Sequence, residues 1–162
     1  MNIEEKAKKI QLLAFDVDGV MTDGSITYDD NGLEYKTFNA KDGHGLAKMT
    51  KNGYITAIIT GRRSGTVEYR AEDLHVVEVF QGVKNKIAIL DALLQKYELD
   101  YTQVAYMGDD EPDICILEKV AIASCPKDAV KKVQDICNFI STKDGGHGAV
   151  RELCDFIYDS QN

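Results

Sequence analysis

The sequence predicts an α/β protein, a three-layer sandwich in which a mostly parallel β-sheet lies between helices and a β-hairpin stands apart from it. Three observations carry that prediction. Apolar runs of strand length alternate with segments of helical periodicity, from LLAFDV (12–17) to CNFIS (137–141). The runs are nearly continuous in apolar residues, as strands buried on both faces are. Three of them end in polar clusters, Asp16-Val17-Asp18-Gly19, Thr60-Gly61-Arg62-Arg63 and Gly108-Asp109-Asp110. In open sheets of this kind ligands bind beyond the carboxyl ends of the strands.

In chain order, residues 3–9 predict a short helical lead-in and 12–17 the first strand. ITYDDNGLEYKTF (26–38) predicts a hairpin, within about 24–40, because apolar and aromatic residues flank the turn residues Asp29, Asp30, Asn31 and Gly32. A short helix over 44–52 is closed by Gly53. YITAIIT (54–60) is a strand, 65–74 a helix and VVEVF (76–80) a strand. Residues 86–97 have Ile87, Leu90 and Leu94 at helical spacing. QVAYMG (103–108) is a strand, and 111–119 is a helix that tolerates Pro112 in its first turn. VAIAS (120–124), a helix over 127–135, CNFIS and a closing helix over about 147–159 complete the pattern. With no repeat, low-complexity tract or linker, 1–162 reads as a single domain.

Composition narrows the function. The 162 residues are 44% hydrophobic and 28% charged, a globular balance. The net charge of -8, from 19 basic and 27 acidic residues, argues against nucleic acid or anionic membrane as a partner. A small anionic substrate needs local positive charge or a metal. The charged start, MNIEEKAKKI, and the lack of a bilayer-length apolar run point to the cytoplasm. Cys115, Cys125, Cys137 and Cys154 lack C-x-x-C spacing, which suits reduced, mostly core thiols.

The acidic clusters need a chemistry. An EF-hand requires Gly at its sixth position, where counting from Asp16 gives Met21. No Gly-Lys pair for a P-loop, no G-x-G-x-x-G and no G-x-S-x-G occurs. A D-x-D pair, a Thr, a downstream Lys and a Gly-Asp-Asp fit phosphoryl transfer. A carboxylate nucleophile repels a phosphate dianion unless Mg²⁺ bridges them, so a second acid such as Asp109 must hold metal. Thr60 and Lys86 suit the transferring oxygens, with Lys84 competing for the second role. Asp18, two residues beyond Asp16, has the spacing of a general acid and base.

This constellation resembles the haloacid dehalogenase-like superfamily, whose motifs appear in order as DVDGV (16–20), the Thr of ITGR (59–62), Lys86 and GDDEPD (108–113). The resemblance implies a Rossmann-like sheet and an aspartyl-phosphate formed on Asp16. It makes Asp18 the acid/base, with its backbone carbonyl on Mg²⁺, and Asp109 a metal ligand. Thr60, Gly61 and Lys86 bind phosphate. Asp113 supports the loop, and Asp110 is either a supporting residue or a solvated turn residue. Only 26 positions separate Thr60 from Lys86, too few for a cap domain. The hairpin takes its place.

DVDGVMTDG with its hairpin, KDGHG (41–45), TGRRS (60–64), QGVKNK (81–86) and GGHGAVRE (145–152) further resemble the capless 3-deoxy-D-manno-octulosonate 8-phosphate (KDO 8-phosphate) phosphatases. That implies a Mg²⁺-dependent homotetramer in lipopolysaccharide core-sugar synthesis, with hairpins and tails covering neighbouring sites. The residues agree: Ile26, Tyr28, Leu33, Tyr35 and Phe38 have nothing in cis to bury them all, and an isolated hairpin is marginal in water. Lys41, Arg62, Arg63, Arg70 and Arg151 are candidates to meet an acidic sugar. His44 and His147 are placed in Gly-rich loops near the pocket. Lys41 departs from the Arg of many relatives. Arg62 and His75 favour KDO 8-phosphate over the nine-carbon KDN 9-phosphate. A receiver-like phospho-acceptor is the alternative of another class, and Asp18 argues against it.

Overall fold

The computed structural model describes residues 1–162. In chain order they form α1 (Ile3–Ala7), β1 (Leu12–Phe15), β2 (Thr27–Tyr28), β3 (Glu34–Tyr35), α2 (Ala40–Lys51), β4 (Ile55–Ile59), α3 (Gly65–Asp73) and β5 (Glu78–Phe80). Then follow α4 (Lys86–Tyr97), β6 (Val104–Met107), α5 (Ile114–Leu117), β7 (Ile122–Cys125), α6 (Lys131–Gln134), β8 (Phe139–Ile140) and α7 (Ala149–Gln161). Six strands make one sheet in the order β5-β4-β1-β6-β7-β8, and every pairing in it is parallel. β2 and β3 pair only with each other, antiparallel.

Strand periodicity sorts the core. Successive side chains leave a strand on opposite faces. Leu13 and Phe15 therefore join α1, α2, α3 and α7, whereas Leu12 and Ala14 join α4, α5 and α6. Both faces of β1 are covered, so all four of its residues are buried. The chain builds β4 and β5 on one side of β1 and then crosses to build β6, β7 and β8 on the other. That reversal opens a crevice at the carboxyl end of β1.

The predicted short helix over 44–52 begins earlier, at Ala40. Asn39 caps it by accepting the N–H groups of Lys41 and Asp42. KDGHG is thus the first half of a helix, and His44 is exposed on α2, not in a loop. Glycine disguised the helix but is needed there: a Cβ on Gly43 would lie 2.1 Å from Arg70 Nη2. Asp42 is buried and accepts the N–H groups of Gly148 (3.3 Å) and Arg151 (3.0 Å). It thereby caps α7, whose own N-cap, Gly148, has no side chain to do so.

The stretch predicted as one helix over 111–119 divides into a 3-10 turn, Glu111–Asp113, and the four-residue α5. The helix expected over 127–135 is reduced to α6. The hairpin leaves Ile26, Tyr28, Leu33 and Tyr35 exposed. Phe38 differs from the expectation, because it packs against the α2 layer with the Arg70 guanidinium 5.7 Å from its ring centre. The four cysteines are free, and no helix is long and apolar enough to cross a membrane.

Leu13 lies at the centre of this arrangement and is 0% exposed. Leu13→Ala is expected to destabilise the fold by about 2–5 kcal/mol. Urea unfolding should show a lower midpoint with unchanged slope; an unshifted midpoint would contradict the placement of β1.

Candidate active site

Beyond the ends of β1, β4 and β6 lies an open cleft of about 700 Å³, lined by Asp16, Asp18, Thr60, Gly61, Arg62, Lys84, Lys86, Asp109, Asp110 and Asp113. A depression of about 670 Å³ adjoins it beside β5 and contains none of these aspartates. The cleft gathers every predicted acid together with Thr60, Gly61, Arg62 and Lys86.

Asp16 follows Phe15 directly. Its N–H donates to the Met107 carbonyl (3.0 Å), and its Oδ1 accepts the Val17 N–H (2.7 Å). Lys86, the first residue of α4, is 5% exposed and ends 3.2 Å from Asp16 Oδ2 and 2.7 Å from Asp113 Oδ1. Lys84 is exposed and has no such partner, so Lys86 is the lysine held against Asp16. Tyr106, fully buried on β6, donates to Asp113 Oδ1 at 2.6 Å. Asp113 Oδ2 accepts the N–H groups of Asp109 (3.0 Å) and Asp110 (3.3 Å). Four donors thus engage Asp113, which fixes both the lysine and the loop that carries Asp109.

Asp16, Asp109 and Asp113 each bring a carboxylate oxygen within 4.8 Å of the others. Burial, then the negative charges of Asp16 and Asp113, push Asp109 up to about 8. Burial and the charge of Asp113 raise Asp16 to about 6, against the opposing pull of Lys86. Lys86 is pulled down by burial but ends raised, because Asp16 and Asp113 outweigh that pull. An oxygen-only cluster whose members repel one another suits a hard divalent cation. With Asp113 committed to its four donors, Asp16 and Asp109 are the carboxylates left to hold one. Gly19 makes the close approach possible: its φ is +84°, and a Cβ there would lie 2.0 Å from Asp109 Oδ2.

Asp18 is held from another direction. Lys36 Nζ lies 2.5 Å from its Oδ1, and Arg62 Nε 3.8 Å from its Oδ2. Arg62 also donates to Glu34 Oε2 (2.7 Å) and to the Tyr28 hydroxyl (2.8 Å). Sequence reasoning did not single out Lys36. The available signal was its alternation with exposed Tyr35, which turns it toward the opposite face of the hairpin limb. Asp110 is exposed and caps the 3-10 turn by accepting the Glu111 N–H (2.7 Å).

Thr22 Oγ1 accepts the N–H groups of Gly19 (3.3 Å) and Gly24 (3.2 Å), and the Gly146 N–H donates to the Val20 carbonyl (3.0 Å). The GGHG segment therefore buttresses its own chain's aspartate loop. Lys41, Arg70 and Arg151 are not brought to the aspartate cleft. Lys41 and Arg151 line a separate cleft of about 390 Å³ with Lys143 and His147, and Arg151 pairs with Asp155 (2.6 Å). Arg70 pairs with Asp73 (3.1 Å) and donates to the Asn39 carbonyl (3.2 Å).

A family model for haloacid dehalogenase-like hydrolases matches residues 66–153. The 3-deoxy-D-manno-octulosonate 8-phosphate phosphatase of Salmonella typhi is 39% identical over 160 residues, which cover 99% of this chain and 85% of the relative. Among solved structures, the Moraxella catarrhalis phosphatase of that name, in complex with magnesium, phosphate and KDO, matches with a TM-score of 0.96 at 39% identity, over 99% of this chain and 92% of that one. The cobalt-bound phosphatase of Haemophilus influenzae matches with a TM-score of 0.92 at 31% identity, over 96% and 91%.

The raised carboxyls have a consequence for stability. Folded Asp109 and Asp16 hold protons that the unfolded chain releases, so their contribution is complete below about pH 4 and is lost as pH rises. For Asp109 the loss runs through about pH 8. The melting temperature of metal-free protein should fall between about pH 5 and about pH 8 more steeply in wild type than in Asp109→Asn. Equal slopes by calorimetry would refute this.

Proposed function

The chain belongs to the haloacid dehalogenase-like hydrolase family and, within it, to the 3-deoxy-D-manno-octulosonate 8-phosphate phosphatases; from that membership we propose that it hydrolyses KDO 8-phosphate to KDO and inorganic phosphate. The observation that carries this reading is the arrangement at the end of β1, with Asp16 against buried Lys86 and Asp109 beside it.

In this reading Asp16 attacks phosphorus, the bond to the sugar oxygen breaks, and Asp18 donates a proton to that oxygen. Water then attacks the aspartyl-phosphate, Asp18 takes its proton, and Asp16 is restored. Thr60, Gly61 and Lys86 hold the phosphoryl oxygens, Lys86 doing so at the N-terminus of α4, where anions are favoured. Asp16, Asp109 and the Asp18 carbonyl would hold Mg²⁺. When bound, the ion offsets the repulsion between carboxylate and phosphate. Asp113 and Asp110 support the loop, as their hydrogen bonds suggest.

Arg62 is the basic residue of the chain's own cleft that the substrate carboxylate would meet. Lys41, Arg70 and Arg151 would serve a neighbouring subunit's site. A homotetramer, whose hairpins and tails roof adjoining sites, is supported by the exposure of Ile26, Tyr28, Leu33 and Tyr35. We place the enzyme in the cytoplasm, in synthesis of the lipopolysaccharide core sugar, on its family membership and its four free thiols.

Phosphate release from KDO 8-phosphate should be strong with Mg²⁺, be lost with chelator, and exceed release from KDN 9-phosphate and neutral sugar phosphates. Equal slow hydrolysis of all of them would void the substrate. Asp16→Asn should release no phosphate while keeping the native circular dichroism, and wild-type turnover in that variant would sink the nucleophile. Leu33→Ser combined with Tyr35→Ser should lower the native mass in solution; an unchanged oligomer would remove the hairpin from the interface.

A further inference from the structure

The hairpin has exposed apolar side chains, yet its return limb reaches Asp18, which lines the chain's own cleft. Lys36 lies one residue past β3, between exposed Tyr35 and exposed Thr37, and its side chain is only 2% exposed. Lysine is seldom buried so fully unless it is paired. The Lys36 ammonium lies 2.5 Å from Asp18 Oδ1 and 2.6 Å from Glu34 Oε1, the second an ion pair without hydrogen-bond alignment. Its bond to Oδ1 is the one hydrogen bond that the Asp18 carboxylate receives. Arg62 is farther off, 3.8 Å from Oδ2.

The hairpin has other anchors. Arg62 already ties Glu34 and Tyr28 to the end of β4. Holding the hairpin down therefore does not require a buried ammonium on Asp18. Asp18 does require a partner: the terminal torsion of an aspartate is broad, so an unheld carboxylate wanders. General acid catalysis needs the proton within hydrogen-bond reach of the leaving oxygen.

We infer that Lys36 is a positioning residue for Asp18: by engaging Oδ1 it leaves Oδ2 as the oxygen that gives and takes the proton. This rests on the reading of Asp18 as acid and base. In the first half-reaction an Asp16 oxygen bonds phosphorus, the bond to the leaving oxygen breaks with its electron pair staying on that oxygen, and the proton on Oδ2 moves to it. In the second half the water oxygen bonds phosphorus, the bond from phosphorus to the Asp16 oxygen breaks with its electron pair returning to that carboxylate, and a water proton returns to Oδ2. Lys36 keeps its own protons throughout. The hairpin thus completes the acid/base apparatus of the subunit that carries it.

The test is kcat/KM, which reports steps through formation of the aspartyl-phosphate, across aryl and alkyl phosphates of graded leaving-group acidity, with Mg²⁺. Wild type, Lys36→Met, Lys36→Gln, Lys36→Arg and Asp18→Asn are compared, each checked for native mass and circular dichroism. A nitrophenolate departs unaided, whereas an alkoxide needs the proton. The loss in Lys36→Met and Lys36→Gln should be small for nitrophenyl phosphate and grow to about 10²-fold for the poorest leaving groups. Lys36→Arg should recover most of it. A loss equal for every substrate would reduce Lys36 to a binding or hairpin residue and overturn the inference. If Asp18→Asn shows the leaving-group dependence and the Lys36 variants do not, only the inference falls. If Asp18→Asn also lacks it, the acid/base reading falls and takes the inference with it.

Discussion

The cleft depends on the buried ammonium of Lys86. β1 and β6 run parallel and end side by side, so the acids that follow them converge in a place sheltered from water. Unpaired buried charges are strongly unfavourable. Lys86 answers this from the first turn of α4, between Asp16 and Asp113, and Tyr106 adds a hydroxyl from beneath. The two core layers meet the chemistry here. Leu12 and Ala14 pack with Leu90, Leu93 and Leu94 of α4, and that packing carries Lys86 to the end of β1. One cation does not balance three carboxylates, and burial together with that residual negative charge raises the affinity of Asp109 for protons. A site left short of positive charge in this way suits a hard divalent cation.

Asp18 occupies a separate electrostatic neighbourhood. Its cations come from the hairpin and from the end of β4, not from α4. Asp16 and Asp18, two residues apart in sequence, can thus be supported independently. Asp16 belongs to the sheet, and Asp18 belongs to a small polar network of Lys36, Glu34, Arg62 and Tyr28. Glu34 links the two cations, at 2.6 Å from Lys36 and 2.7 Å from Arg62, and keeps them from repelling each other at the mouth.

Much of this was legible in the chain. Buried parallel strands read as apolar runs, and the polar residues at their ends had no structural reason to be there, so Asp16, Thr60 and Asp109 stood out. Other features resisted for physical reasons. The start of α2 was hidden because Gly43 is a poor helix former, required there by the approach of Arg70. Lys36 was hidden because its partner lies 18 positions away and only the fold of the hairpin joins them. Charge type and the expected place of their segments near the rim grouped Lys41, Arg70 and Arg151 with Arg62, but α2, α3 and α7 present those three outside the chain's own aspartate cleft. The brevity of α5 follows from Asp113, whose side chain is drawn inward to Lys86 and closes one turn before the next begins.

The contact between the GGHG segment and the aspartate loop bears on how the protein is made. Asp16 to Gly24 leave the ribosome long before Gly146, whose N–H supports Val20. Asp42 likewise waits for Gly148 and Arg151 before its carboxylate is satisfied. These are contacts of long sequence separation, which form late because the loop between them must first be closed. The loop that carries Asp16 and Asp18 is therefore translated before its supports and set late, and a nascent chain that has not reached Gly146 has these aspartates without the clamp that shapes them.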